Sequence, residues 1–196
     1  MSIIPKIRKN EILRNILTLM GGTSLAQLIP IGLQPLLRRL YEPEVFGIYA
    51  LYLTYIGIVV VISSLKWEMA IVIQKDDRKA TNVAGLALMT IFIINTSLLI
   101  IGIVFFDPLI ELLKFPEGSG WWMLLVPVSA SLLSSYQVLN YWLVRKKAFF
   151  AVSANKIVRR TIEGSVHSGF GINAFGPGMM FGDILGNIAN VMAGMY

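Results

Sequence analysis

Cysteine is absent from this chain, and histidine occurs once. The first absence excludes disulfides, thiol nucleophiles and thiolate metal sites, and the second excludes the multi-histidine sets that hold most catalytic zinc. Charge is scarce too: Asp, Glu, Lys and Arg make up 14% of 196 residues against 56% hydrophobic, and the mean hydropathy is +0.70. A water-soluble domain carries about 25% charged residues, so this composition points to a polytopic membrane protein. Ser/His/Asp triads and dinucleotide fingerprints are missing. The glycines at 164, 169, 171, 176 and 178 have no preceding strand and no following Gly-Lys-Ser/Thr, so they read as packing and hinge residues. The chain is expected to be no enzyme and to need no cofactor or metal.

What is present is apolar length. Asn15 to Leu37 carries no charge over about 23 residues, enough at roughly 1.5 Å per residue to cross a hydrocarbon core of about 30 Å. Further spans are expected at 46–65, 80–106, 121–143, 158–175 and 178–196, which gives an all-α polytopic bundle of about six spans. The third should tilt, being longer than the usual need. The last two are more polar and glycine-punctuated, as buried helices in close contact would be. Met69 to Ile73 is too short to cross, so it either extends the second helix into the interface or packs on the bundle. Tyr41-Glu42-Pro43-Glu44 reads as a turn that Pro43 and Gly47 keep from continuing as helix. Trp121 and Trp122 at one end of the fourth span, and Tyr141 and Trp142 at the other, read as interfacial belts.

The net charge of +6 would suit nucleic acid if the basic residues formed a solvated patch. They cluster instead beside the apolar spans, as orienting charges do, and no nucleic-acid partner is expected. Lys6, Arg8, Lys9 and Arg14 face one acid, Glu11, which puts the amino terminus in the cytoplasm. The apolar run behind them is too long for a signal-peptide core and lacks a small-residue cleavage site, so it is expected to be retained. Lys66, Lys75, Arg78 and Lys79 then fall inside, as do Arg145, Lys146, Lys147, Lys156, Arg159 and Arg160. Arg38, Arg39 and Lys114 fall outside, with the acidic loop Asp107, Glu111 and Glu117. The sequence ends at Tyr196 within an apolar segment, which suggests a fragment.

Gln27, Gln34, Pro30 and Pro35 in the first span are ill suited to lipid, which offers no hydrogen bonds, and are better placed toward other helices or a wet cavity. That span and its sequel, GGTSLAQLIPIGLQPLLRRLYEPEVFGIYALY, then LKWEMAIVIQKDDRKA, then MMFGDILGNIANV, resemble the amino-terminal half of bacterial polysaccharide flippases. These are lipid-linked oligosaccharide exporters of the O-antigen type, in the multidrug/oligosaccharidyl-lipid/polysaccharide exporter superfamily. The resemblance implies the amino-terminal bundle of a MATE-like two-bundle fold, with the carboxy-terminal bundle absent. It also implies residence in the bacterial inner membrane and alternating access to a polyprenyl-pyrophosphate-linked oligosaccharide, with other polysaccharide assembly proteins as partners. A multidrug exporter of the same superfamily would prefer an acidic lumen. A membrane-embedded glycan polymerase or ligase would need a large catalytic outer loop, and a non-transporting remnant is the remaining reading.

A flippase must pair phosphate charges inside a membrane, a task that suits arginine. Arg38, Arg39, Lys66, Glu68, Gln27 and Gln34 are therefore candidates for substrate binding. Arg38 and Arg39 also fit snorkelling anchors, and Lys66 and Glu68 also fit loop-orienting charges. Glu163 and His167, four apart on one helical face, are candidates either for a proton-sensitive pair facing a cavity or for an interfacial Glu163 with a hydrogen-bonded His167. Asp183 is either a carboxylate for a coupling ion or proton, or a polar group satisfied by a neighbouring helix.

Overall fold

The computed structural model describes residues 6–114, 118 and 120–195, with side chains from Leu13 onward. Glu117 of the acidic loop, the side chains of Lys6, Arg8, Lys9 and Glu11, and Tyr196 lie outside the described residues. Among the described residues there is no strand. Eight α-helices follow one another: α1 (Lys6–Leu40), α2 (Pro43–Ser64), α3 (Trp67–Ile73), α4 (Asp77–Val104), α5 (Phe106–Leu113), α6 (Leu125–Arg145), α7 (Phe149–Ile172) and α8 (Gly178–Gly194). A 3₁₀ turn, Gly120–Leu124, leads into α6.

Four stretches are long and apolar enough to cross a membrane: Leu13–Leu40, Pro43–Ser64, Asp77–Val104 and Gly120–Arg145. They coincide with the first four expected spans. Of the last two expected segments, residues 158–172 and 178–194 are helical too, but α7 begins at Phe149 and so takes in residues that the sequence pattern assigns to a basic loop.

Local chemistry explains the boundaries. Pro43 opens α2 instead of ending a helix, because at the first helical position its missing N–H and fixed φ cost nothing. The connection from α1 is only Tyr41-Glu42, and Gly47 lies inside α2. Pro30 and Pro35 sit inside a continuous α1. Leu65 and Lys66 adopt left-handed φ values of 45° and 58°, which turns the chain out of α2 before α3 starts. The short run to Ile73 therefore packs on the bundle and does not prolong α2: Ile71 is wholly buried in a cluster with Ala80, Ala87, Ile91 and Val138. The expected outer loop contains a helix, α5.

α6 is the axis of the bundle. Half of its span is buried, against about a fifth or less for the other three, and it touches α2, α3, α4, α7 and α8. Its face toward α2 joins Val126 and Ala130 to Tyr52, Ile56, Val60 and Met180. Trp122 enters this same core, so it is a packing residue and not the belt expected of it. Hydroxyls stitch the two helices together through the Tyr52–Ser129 pair and through Ser63 Oγ and Ser134 Oγ at 3.2 Å. The outer faces of α1, α2 and α4 expose Leu28, Ile31, Ile58, Met89, Phe92 and Ile103, an apolar surface suited to acyl chains.

α1 lies along α7, and α7 along α8. The first contact depends on Gly22, where an added Cβ would overlap Ser153, whose hydroxyl donates to the Thr18 carbonyl at 3.0 Å. The neighbouring Gly21 faces open space. Gly22→Ala should therefore lower stability by about 1–3 kcal/mol through overpacking. Gly21→Ala should be neutral or stabilising by up to ~1 kcal/mol through helix propensity. Thermal unfolding of the two variants in detergent, compared with the parent chain, measures the difference.

Candidate functional site

Lys156, Arg159, Arg160, Glu163 and His167 recur at helical spacing along α7, so one face of this helix carries a ladder of charged and polar groups. From Lys156 to His167 the ladder extends about 16 Å along the axis. Charges placed among apolar helices need partners, and α7 and α8 supply them. Arg160 Nη1 donates to both carboxylate oxygens of Glu163, at 3.1 and 2.9 Å. Arg159 Nη2 donates to Asp183 Oδ1 at 3.2 Å, and its Nε lies 3.9 Å from Glu163 Oε2. Asn187 Nδ2, one turn further along α8, donates to Asp183 Oδ2 at 3.1 Å. Both carboxylates are buried, Asp183 at 3% exposure and Glu163 at 7%.

The ladder borders a cleft of about 380 Å³ closed by four helices. α1 contributes Pro30, Gln34 and Leu37, and α2 contributes Phe46, Tyr49, Ala50 and Leu53. α7 gives Arg159, Arg160, Glu163 and His167, and α8 gives Met179 and Asp183. A second space of about 250 Å³ is lined by Thr23, Gln27, Tyr136, Lys156 and Asn190, and it shares Arg159 and Arg160 with the first. Lys156 Nζ donates to the Thr23 hydroxyl at 3.0 Å. The two guanidiniums thus stand where two spaces meet, one largely apolar with a charged edge on α7 and α8 and one lined mainly by polar side chains.

The far end of the cleft is pinned around His167. Its Nε2 donates to the Met179 carbonyl at 2.7 Å, since a carbonyl can only accept. Tyr41, in the α1–α2 turn, donates its hydroxyl to the His167 carbonyl at 2.8 Å, and the Tyr49 ring meets the imidazole edge-on at 5.8 Å. Close approach of α8 requires Gly182, where a Cβ would run into the His167 ring. The expected Glu163–His167 pair does not form: the carboxylate turns to the arginines and the imidazole to a backbone carbonyl.

The structure therefore gathers Gln34, Glu163, His167 and Asp183 around one cleft and puts Gln27 in the adjoining space. Arg38 and Arg39, exposed at the end of α1, line neither space. Lys66 and Glu68 lie at the α2–α3 elbow, away from both. There Glu68 is buried, accepts from Ser64 Oγ at 3.4 Å and has the Lys66 ammonium 3.8 Å away. Sequence reasoning missed Arg159, Arg160 and Lys156 as site residues by counting them among loop charges. Their spacing ahead of Glu163 and His167 was the available signal, because it continues one helical face across the presumed boundary.

Removing one partner of a buried ion pair strands the other. Asp183→Leu should lower stability by about 3–5 kcal/mol, and adding Arg159→Met in the same chain should recover most of that loss. Thermal unfolding of the single and double variants in detergent checks it, and additive losses would contradict the pairing.

Residues 12–193 match the sequence model described as "Polysaccharide biosynthesis protein". No curated protein and no solved structure matches the chain. With nearly its whole length covered by that match, and with four helical stretches long and apolar enough to cross a membrane, the chain belongs to the polysaccharide biosynthesis protein family of membrane proteins.

Proposed function

We propose that this chain is the amino-terminal bundle of a lipid-linked oligosaccharide flippase, with α7 and α8 serving as fifth and sixth spans beside the four apolar helices. The observation that carries the reading is the pair of guanidiniums, Arg159 and Arg160, shared by two adjoining spaces inside an apolar bundle. Family membership supports the setting, since polysaccharide units built on a polyprenyl carrier must be moved across the membrane that anchors them.

The chemistry suits such a cargo. The polyprenyl tail can remain in lipid, while a pyrophosphate and its sugars need cations and hydrogen-bonding groups along their way. Arginine presents a planar fork that bonds two phosphate oxygens at once, and Lys156 adds a point charge in the adjoining space. Gln27, Gln34, Asn190 and Tyr136 supply amide and hydroxyl groups suited to sugar hydroxyls. No bond is made or broken in this scheme and no cofactor takes part. The bundle rocks against a second, MATE-like repeat around the cationic site, as in other two-repeat transporters. The amino terminus is cytoplasmic and the membrane is the bacterial inner membrane. A cationic multidrug cargo fits less well, because three basic residues line the two spaces against two acidic ones.

Expressed from its complete reading frame in cells lacking an oligosaccharide-lipid flippase, the protein should restore surface polysaccharide. Arg159→Gln with Arg160→Gln should abolish restoration while membrane insertion stays normal. Arg38→Gln should retain most of it. Full restoration by the double variant would contradict the assignment.

A further inference from the structure

We infer that Glu163 and Asp183 hold the places on Arg160 and Arg159 that the two phosphoryl groups of a diphosphate-bearing lipid take when it binds, so that the ligand enters by exchanging phosphate for carboxylate on these two cations. This inference rests on the flippase reading and names how that site is loaded and emptied.

Each guanidinium has its own carboxylate. Arg160 bonds both oxygens of Glu163, and Arg159 bonds one oxygen of Asp183. A carboxylate and a phosphoryl group offer arginine the same two-oxygen face, so one can stand in for the other without moving the cation. Access is asymmetric in the required sense: the arginine side chains are 17% and 37% exposed, while Asp183 and Glu163 are 4% and 10% exposed. A ligand in the cleft therefore reaches the cations before it reaches the acids.

One displaced carboxylate keeps a partner: Asp183 retains its bond to Asn187 Nδ2 when Arg159 is taken. Glu163 stays beside both cations, with Oε2 at 2.9 Å from Arg160 and 3.9 Å from Arg159, so it is placed to return to them when the ligand leaves. Lys156 has its described bond to the Thr23 hydroxyl and not to an acid, and it leaves the cluster one positive charge in excess for an incoming anion. Without the acids, two partly buried guanidiniums would stand without a carboxylate once the ligand left, and the ligand would leave slowly. With them, release is assisted as the carboxylates return to the arginines.

The experiment is equilibrium binding of radiolabelled inorganic pyrophosphate to the full chain in nanodiscs at low ionic strength, where charge effects are least screened. Glu163→Gln and Asp183→Asn keep shape and remove the competitor. Each should tighten binding about ten-fold, the size of effect expected when one charge-assisted hydrogen bond stops competing. Arg159→Gln with Arg160→Gln should lose binding. Should Asp183→Asn fold poorly, Glu163→Gln carries the test, together with the rise in melting temperature that pyrophosphate gives, which should exceed that of the parent chain. If the arginine variant loses binding while both carboxamide variants bind no more tightly than the parent, the exchange is wrong and the anion site stands. If the arginine variant binds as the parent does, the site itself is wrong and the exchange falls with it.

Discussion

A guanidinium among apolar helices must meet an acceptor, because the surrounding side chains and lipid cannot replace the water it has lost. In this chain two neighbouring arginines on α7 meet that demand from both directions, one along their own helix at Glu163 and one across the interface at Asp183. Much of the local architecture is a condition of those bonds. α8 must come close enough for Asp183 to reach Arg159, which Gly182 and Gly186 permit: a Cβ at either would press on His167 or on Glu163. The His167 ring and the Tyr41 hydroxyl then fix the far end of the same interface through backbone carbonyls. The ion pairs are thus joined to a close helix crossing, and neither has its observed form without the other.

Around this interface the bundle divides its labour. α6, buried on several sides, ties the α2–α3–α4 group to α8 through Tyr52–Ser129, Ser63–Ser134 and the Val126–Met180 core. At its carboxy-terminal end Arg145 bridges to Asp77 at 2.8 Å and Lys146 to the same carboxylate at 2.6 Å, which fastens α6 to the start of α4. α1 and α2 meet at a two-residue turn and form one wall of the cleft, while α7 and α8 form the other. The charged groups are concentrated on the α7–α8 wall of that cleft, while Leu37, Phe46 and Leu53 make the α1–α2 wall largely apolar.

The class of molecule was legible in the sequence because it rests on sums: apolar length, scarce charge and basic clusters beside spans survive any local error. The first four spans were legible for the same reason. α7 and α8 were harder to read, because a helix that buries charge against its neighbours lacks the hydropathy that marks a lipid-facing one. Arg159 and Arg160 looked like loop residues by the rule that cations flank spans, and only pairing, of Arg159 to Asp183 across the interface and of Arg160 to Glu163 along its own helix, makes a helix interior acceptable to them. Gln34, Glu163, His167 and Asp183 were recognisable as polar atoms out of place. Their partners were not, since the contact between α7 and α8 depends on glycine spacing whose meaning is three-dimensional. Pro43 shows the converse case, a breaker residue that in context begins a helix.

The account depends on the α7 ladder facing water within a bundle that otherwise faces lipid. Because the chain has no cysteine, single-cysteine spin labels can be placed without a background. In nanodiscs, a label at Gln34 in the cleft should collide more often with a polar relaxation agent than with oxygen, whereas a label at Met89 on the outer face of α4 should show the opposite preference. The same lipid-like preference at both positions would contradict a hydrated passage in this bundle.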